Sequence, residues 1–87
     1  MPRDDTSAPV VGHVLCEARE EVGLTQEEVA ARASMDRSYI SDLERGEASL
    51  TVDRLLRICK AIGIPAATVI GRIEQRIAST ACRSRRR

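Results

Sequence analysis

Seven side chains able to hydrogen-bond crowd into nine residues, Arg37-Ser38-Tyr39-Ile40-Ser41-Asp42-Leu43-Glu44-Arg45. Two guanidiniums, two hydroxyls, a phenol and two carboxylates at that density suit hydrogen bonding better than bond-breaking. Arginine bonds phosphate oxygens or the O6 and N7 edge of guanine, serine is tolerant in its partners, and aspartate can accept from a cytosine amino group. The stretch reads as a short helix, which makes Arg37 odd. A cation in a first helical turn opposes the partial positive charge of that end at a cost of about 0.3–1 kcal/mol. An external anion or base edge would explain its presence.

Other chemistries find little material. His13 and Cys16 stand at H-x-x-C spacing, but a structural zinc site wants four donors, and Cys59 falls on a core stripe. There is no G-x-S-x-G, no P-loop, no paired-carboxylate pocket and no histidine-based triad. The expectation is no enzyme, no cofactor and no metal. Cys16, Cys59 and Cys82 form an odd set, and neither a signal peptide nor a long apolar run accompanies them. A reduced, cytoplasmic bacterial protein with no membrane role is expected.

The elements that must position these residues follow from periodicity and caps. Eighty-seven residues suffice for one small domain. Tyr39 is the only aromatic, so aliphatic side chains must fill the core. Val11, Val14, Leu15, Ala18 and Val22 repeat at helical spacing after Pro9, and Gly23 provides the stop. Thr25 and Glu28 form a capping box, with Leu24 and Val29 as a hydrophobic staple. A helix with Val29, Ala30 and Ala33 inward then ends near Ser34. Asp36 is the next N-cap candidate, favoured over a base-reading role, with Met35 stapling to Ile40. Ile40 and Leu43 face inward and Gly46 stops the helix. Thr51 caps a fourth helix that carries Val52, Leu55, Leu56, Cys59 and Ile62 to Gly63. After Pro65 a fifth carries Val69, Ile70, Ile73 and Ile77. The result is an all-α chain of five short helices: an arm over 1–8, a domain over 9–78, and a basic disordered tail over 79–87.

Charge is segregated. Residues 1–80 hold ten basic and thirteen acidic side chains, and Arg83, Arg85, Arg86 and Arg87 bring the net charge to +1. Nucleic acid would therefore be met by a local patch and not by a generally basic surface.

Two short helices joined by about three residues have the spacing of a helix-turn-helix, whose second helix enters the major groove. With Ile40 and Leu43 inward, Ser38, Ser41, Asp42 and Arg45 point away, with Arg37 and Tyr39 on the flanks. The strings Thr25-Gln26-Glu27-Glu28-Val29-Ala30, Arg37-Ser38-Tyr39-Ile40-Ser41 and Leu43-Glu44-Arg45-Gly46 resemble the Cro/CI-like, or XRE, helix-turn-helix family over residues 10–70. Within it, the chain is most similar to the controller proteins of restriction-modification systems and related mobile-element regulators.

That resemblance implies a five-helix, lambda-repressor-like fold and a sequence-specific transcriptional regulator that binds duplex DNA as a homodimer. It implies that Gln26 meets a phosphate and that Asp36, Arg37, Ser38 and Ser41 face base edges and backbone. Arg19 and Glu44 should form a structural ion pair. The expected DNA-binding set is Thr25, Gln26, Asp36, Arg37, Ser38, Tyr39, Ser41, Asp42, Arg45 and Ser49. Tyr39 stays open between packing and DNA contact, and Asp42 is favoured as neutral surface. Ser34 stands where the family often has glycine, Leu50 where many members have proline, and Cys16 where a basic residue is common. Ile58, Val69, Ile70, Ile73 and Ile77 are the expected dimer interface. A two-fold dimer would set its recognition helices about 34–36 Å apart on a near-palindromic operator. Docked over a promoter, it would block or recruit RNA polymerase. The competing expectation is an antitoxin or adaptor that uses the same fold to hold a partner protein.

Overall fold

The computed structural model describes the backbone of residues 7–85 and the side-chain surroundings of residues 8–79. Five helices follow one another: α1 (Ser7–Glu21), α2 (Gln26–Ala33), α3 (Arg37–Glu44), α4 (Val52–Ile62) and α5 (Ala66–Arg85). No strand occurs among the described residues. α1 packs against α3 and α5, α2 against α3 and α4, and α4 against α5.

Local signals set the helix ends. Thr25 accepts from the Glu28 amide at 3.1 Å, and Glu28 accepts from the Thr25 amide at 2.9 Å. This reciprocal box satisfies two otherwise orphaned donors of α2. Thr51 accepts from the Arg54 amide at 3.2 Å and starts α4 in the same way. Leu24, Met35 and Leu50, each preceding an N-cap, pack against the core.

The α2–α3 turn depends on Ser34, which adopts the left-handed conformation at φ 58° and ψ 49°. This lets the Met35 amide reach back to the Ala30 carbonyl at 2.8 Å. Serine holds the position at some steric cost, because its Cβ crowds the following carbonyl there. Asp36 occupies the N-cap position of α3, but its side chain makes no capping hydrogen bond, contrary to the role expected for it. The helix end still favours its charge.

Among the described residues, Val14, Leu15, Ala18, Val29, Ile40, Leu43, Leu55, Ile58, Cys59, Ile62 and Val69 belong to the buried hydrophobic core. Gly12 brings α1 against α3 so closely that a Cβ there would overlap the carbonyl oxygen of Leu43 and stand 2.8 Å from that of Glu44. The main departure from expectation lies at the C-terminus. α5 continues to Arg85, whereas the tail from Ser79 was expected to be disordered; neither glycine nor proline intervenes to stop it. At the other end α1 begins at Ser7, and the remainder of the expected arm lies outside the described residues.

Candidate nucleic-acid interface

α3 is eight residues long and turns only Ile40 and Leu43 fully inward. Arg37 and Ser38 are exposed in its first turn, Ser41 and Asp42 are half-buried, and Arg45 and Ser49 are exposed beyond them. Arg37 shares an open cleft with Arg19, Leu24, Thr25, Gln26 and Glu27 at the start of α2. Among the described residues it has no hydrogen bond or ion pair, so its guanidinium is fully available to an external acceptor.

Beneath this cleft lies the polar joint of the motif. Arg19 Nε donates to Glu44 Oε2 at 2.7 Å and Arg19 Nη2 to Glu44 Oε1 at 3.0 Å, with the two side chains 13% and 8% exposed. Arg19 Nη1 donates to the Leu24 carbonyl at 2.8 Å. The expected ion pair therefore ties α1, the start of α2 and the end of α3 into one unit. Hydrogen bonding to Glu44 raises the Arg19 pKa. Burial pushes the Glu44 carboxyl up, but hydrogen bonds from Arg19 and Gln26 and the Arg19 charge outweigh it and hold the pKa below its ordinary value.

Gln26 belongs to this joint. Its Nε2 donates to Glu44 Oε1 at 2.9 Å, which fixes the amide at the cleft and leaves its second N–H for an outside acceptor. Arg45 is likewise engaged. It donates to Ser41 Oγ at 2.9 Å, to Asp42 Oδ1 at 2.6 Å and to Glu47 Oε1 at 3.3 Å. Asp42 is thus a surface residue that serves as counter-ion of Arg45. Tyr39 is half-buried and packs against the core, and its hydroxyl donates to the Ser49 carbonyl at 2.7 Å. Packing and an exposed edge coexist at this residue.

The expected dimer residues divide. Ile58 and Val69 are 2% and 0% exposed and belong to the monomer core; they cannot also form an intersubunit surface. Ile70 and Ile77 remain exposed, and Ile73 is half-buried. Val52 and Leu56, on the apolar repeat of α4, are 72% and 52% exposed. Val52 and Ile73 line one apolar groove of about 360 Å³ with Val11, Leu50 and Leu55. Val22, expected inward, ends up exposed where α1 gives out.

Sequence reasoning missed Gly12, whose role depends on how closely α3 approaches, and Arg54, which reaches the motif from α4. His13 Nε2 lies 3.1 Å from Glu17 Oε2, while Cys16 accepts a weak 3.6 Å bond from Arg19. Burial, followed by the nearby Glu44 charge, raises the Cys16 pKa and keeps it a thiol. His13 and Cys16 thus have separate partners, and the described residues contain no group of three or more metal-ligating side chains.

Known proteins are similar to this chain in sequence and fold. Residues 17–69 match the HTH_3 helix-turn-helix family. The uncharacterised HTH-type transcriptional regulator y4dJ of Sinorhizobium fredii is 44% identical over 55 residues, covering 63% of this chain and 71% of that protein. Control protein C.BamHI of Bacillus amyloliquefaciens is 36% identical over 58 residues, covering 61% of this chain and 72% of its own. The crystal structure of the restriction-modification controller protein C.Esp1396I superposes with a TM-score of 0.79 at 29% identity, over 86% of this chain and 99% of that one. None of these relatives is named as an antitoxin or adaptor.

Proposed function

The chain belongs to the helix-turn-helix family, and from that premise we propose that it is a DNA-binding transcriptional regulator of controller type, acting as a homodimer on a near-palindromic operator. The observation that carries this is the state of Arg37. It is exposed at the start of the second helix of the motif, without an internal partner among the described residues, beside the hydroxyl of Ser38. Arg37 and Ser38 read base edges, while Gln26 and Thr25 at the start of α2 meet the phosphate backbone. The Arg19–Glu44–Gln26 joint holds the two helices at a fixed angle so that both contacts are made together. Arg45, partly neutralised by Asp42 and Glu47, contributes orientation more than net charge.

The dimer face comprises Val52 and Leu56 of α4 with Ile70, Ile73 and Ile77 of α5. Large apolar side chains exposed together mark an interaction surface, and the shared groove joins the two helices' contributions. Bound at a promoter, the dimer acts sterically, by excluding polymerase or by presenting a surface to it. Among the described residues no helix is long and apolar enough to cross a membrane, as befits a cytoplasmic regulator. The side chains of Arg83, Arg85, Arg86 and Arg87 lie outside the described residues.

The test is footprinting on the DNA upstream of its own gene at several protein concentrations, with Arg37→Ala alongside. Loss of a bidentate guanine contact lowers affinity by roughly 5–150-fold per half-site, with the dimer intact by sedimentation. Absence of protection by the unmodified protein on every duplex offered, at low salt, would overturn the assignment.

A further inference from the structure

Tyr39 is the chain's only aromatic, and it stands where three elements meet. Its ring lies on the flank of α3. Its hydroxyl donates to the Ser49 carbonyl in the α3–α4 loop at 2.7 Å. The Arg54 guanidinium of α4 lies over the ring, 5.0 Å from its centroid, and Arg54 Nη1 donates to the same hydroxyl at 3.4 Å. The Arg54 amide is in turn held by Thr51 at 3.2 Å. Thr51, Arg54, Tyr39 and Ser49 therefore close a ring of contacts around the loop.

This ring bears on the aim of α3. The helix is short, buries only Ile40 and Leu43 fully and is tied at its far end through Glu44, so contacts on the Tyr39 flank bear on its rotation about its axis. Small rotations matter, because Arg37 and Ser38 must meet acceptors within hydrogen-bonding distance. α4 folds without the Arg54 side chain: Leu55, Ile58, Cys59 and Ile62 bury its inner face, and the Thr51 cap uses only the Arg54 backbone. Arg54 itself is exposed, and among the described residues its side-chain hydrogen bond and its ring contact are both with Tyr39.

We propose that Arg54, which lies outside the two helices of the motif, is a positioning residue for operator binding that acts through Tyr39. It clamps the tyrosine against the α3–α4 loop and so sets the rotation at which α3 presents Arg37 and Ser38. This rests on α3 being the operator-reading helix. The clamp is a cation over an aromatic face assisted by a hydrogen-bond relay to Ser49.

A double-mutant cycle separates this from direct DNA contact by Arg54. The probe is a duplex selected by the unmodified protein from a randomised pool, and the variants are Arg54→Ala, Tyr39→Leu and the pair, the leucine keeping apolar bulk at the site. Arg54→Ala should lower affinity about 2–5-fold per half-site, and should cause no further loss when Tyr39→Leu is already present. Near-ultraviolet circular dichroism reports Tyr39 alone in a chain with one tyrosine and no tryptophan. Its signal in the free protein should collapse in Arg54→Ala while the far-ultraviolet helical signal stays constant. An equal loss in both backgrounds, no loss, or an unchanged tyrosine signal would each overturn the proposal. Failure of the unmodified protein to select any duplex would be seen before the variants are compared, and would remove operator binding and this inference together.

Discussion

Gly12 offers a test in which helix propensity and tertiary packing predict opposite signs. It lies inside α1, where replacing glycine by alanine should stabilise by about 1 kcal/mol from backbone entropy alone. In the folded protein the added Cβ would overlap the Leu43 carbonyl oxygen and stand 2.8 Å from that of Glu44. Ordinary contact starts at 3.4 Å, so α3 must retreat by at least about 0.6 Å from α1 in an interior that is already close-packed. The obstacles are backbone atoms, which cannot move aside by changing rotamer. The Leu43 carbonyl also accepts from the Gly46 amide at 3.0 Å, and Glu44 carries the ion pair to Arg19. Overpacking costs up to about 3 kcal/mol, which after the propensity gain leaves Gly12→Ala less stable by about 2 kcal/mol. That corresponds to a fall in Tm of roughly 8–16 °C for a domain of this size. Urea unfolding followed by far-ultraviolet circular dichroism, at one protein concentration because the proposed dimer would make stability depend on it, reads the effect directly. A midpoint equal to or above that of the unmodified protein would refute the close approach of α1 and α3.

Three further expectations follow from the same joints. Glu44→Gln breaks a buried pair and should cost about 3 kcal/mol at neutral pH. Because the Glu44 pKa is lowered on folding, its contribution is present above the ordinary 4.5 and is lost as the pH falls through the folded value. Urea midpoints across the acid range should therefore fall less steeply for this variant, with a residue of acid sensitivity from Glu17, whose pKa is lowered chiefly by a hydrogen bond from Arg76; an identical acid slope would contradict the assignment. Ser34→Gly should stabilise by about 0.5–1 kcal/mol, since glycine adopts the left-handed turn without a Cβ penalty, and thermal melts decide the sign. Leu56→Glu, at a side chain half exposed in the monomer, should leave the helical signal intact but give a monomer by sedimentation and weaken operator binding; a persisting dimer would place the interface elsewhere.

Much of the fold was legible because its determinants are short-range. The Thr25–Glu28 box, the Thr51 cap, and the inward pairs Val29 with Ala33 and Ile40 with Leu43 each lie within one or two helical turns. The inward face of α4 was not legible, for a specific reason. Val52, Leu55, Leu56, Ile58, Cys59, Ala61 and Ile62 are apolar over more than half of an eleven-residue helix. Periodicity thus permits several inward faces, and the neighbouring helices select Leu55, Ile58, Cys59 and Ile62. Val52 and Leu56 are left outside as a result.

Local signals along the chain were enough to place the starts of α2, α3 and α4, the short pair that forms the motif, and Arg37 at the head of its second helix. Those properties reside in caps, staples and spacing along a few residues, and local free energies decide them. Only the packing of helices against one another decided that Gln26 joins the Arg19–Glu44 pair, that Gly12 seats α1 on α3, and that Arg54 reaches Tyr39 across the loop. Each depends on a contact between residues whose distance in space is set by packing several helices at once. No local propensity encodes how closely two helix axes approach or which face each turns inward.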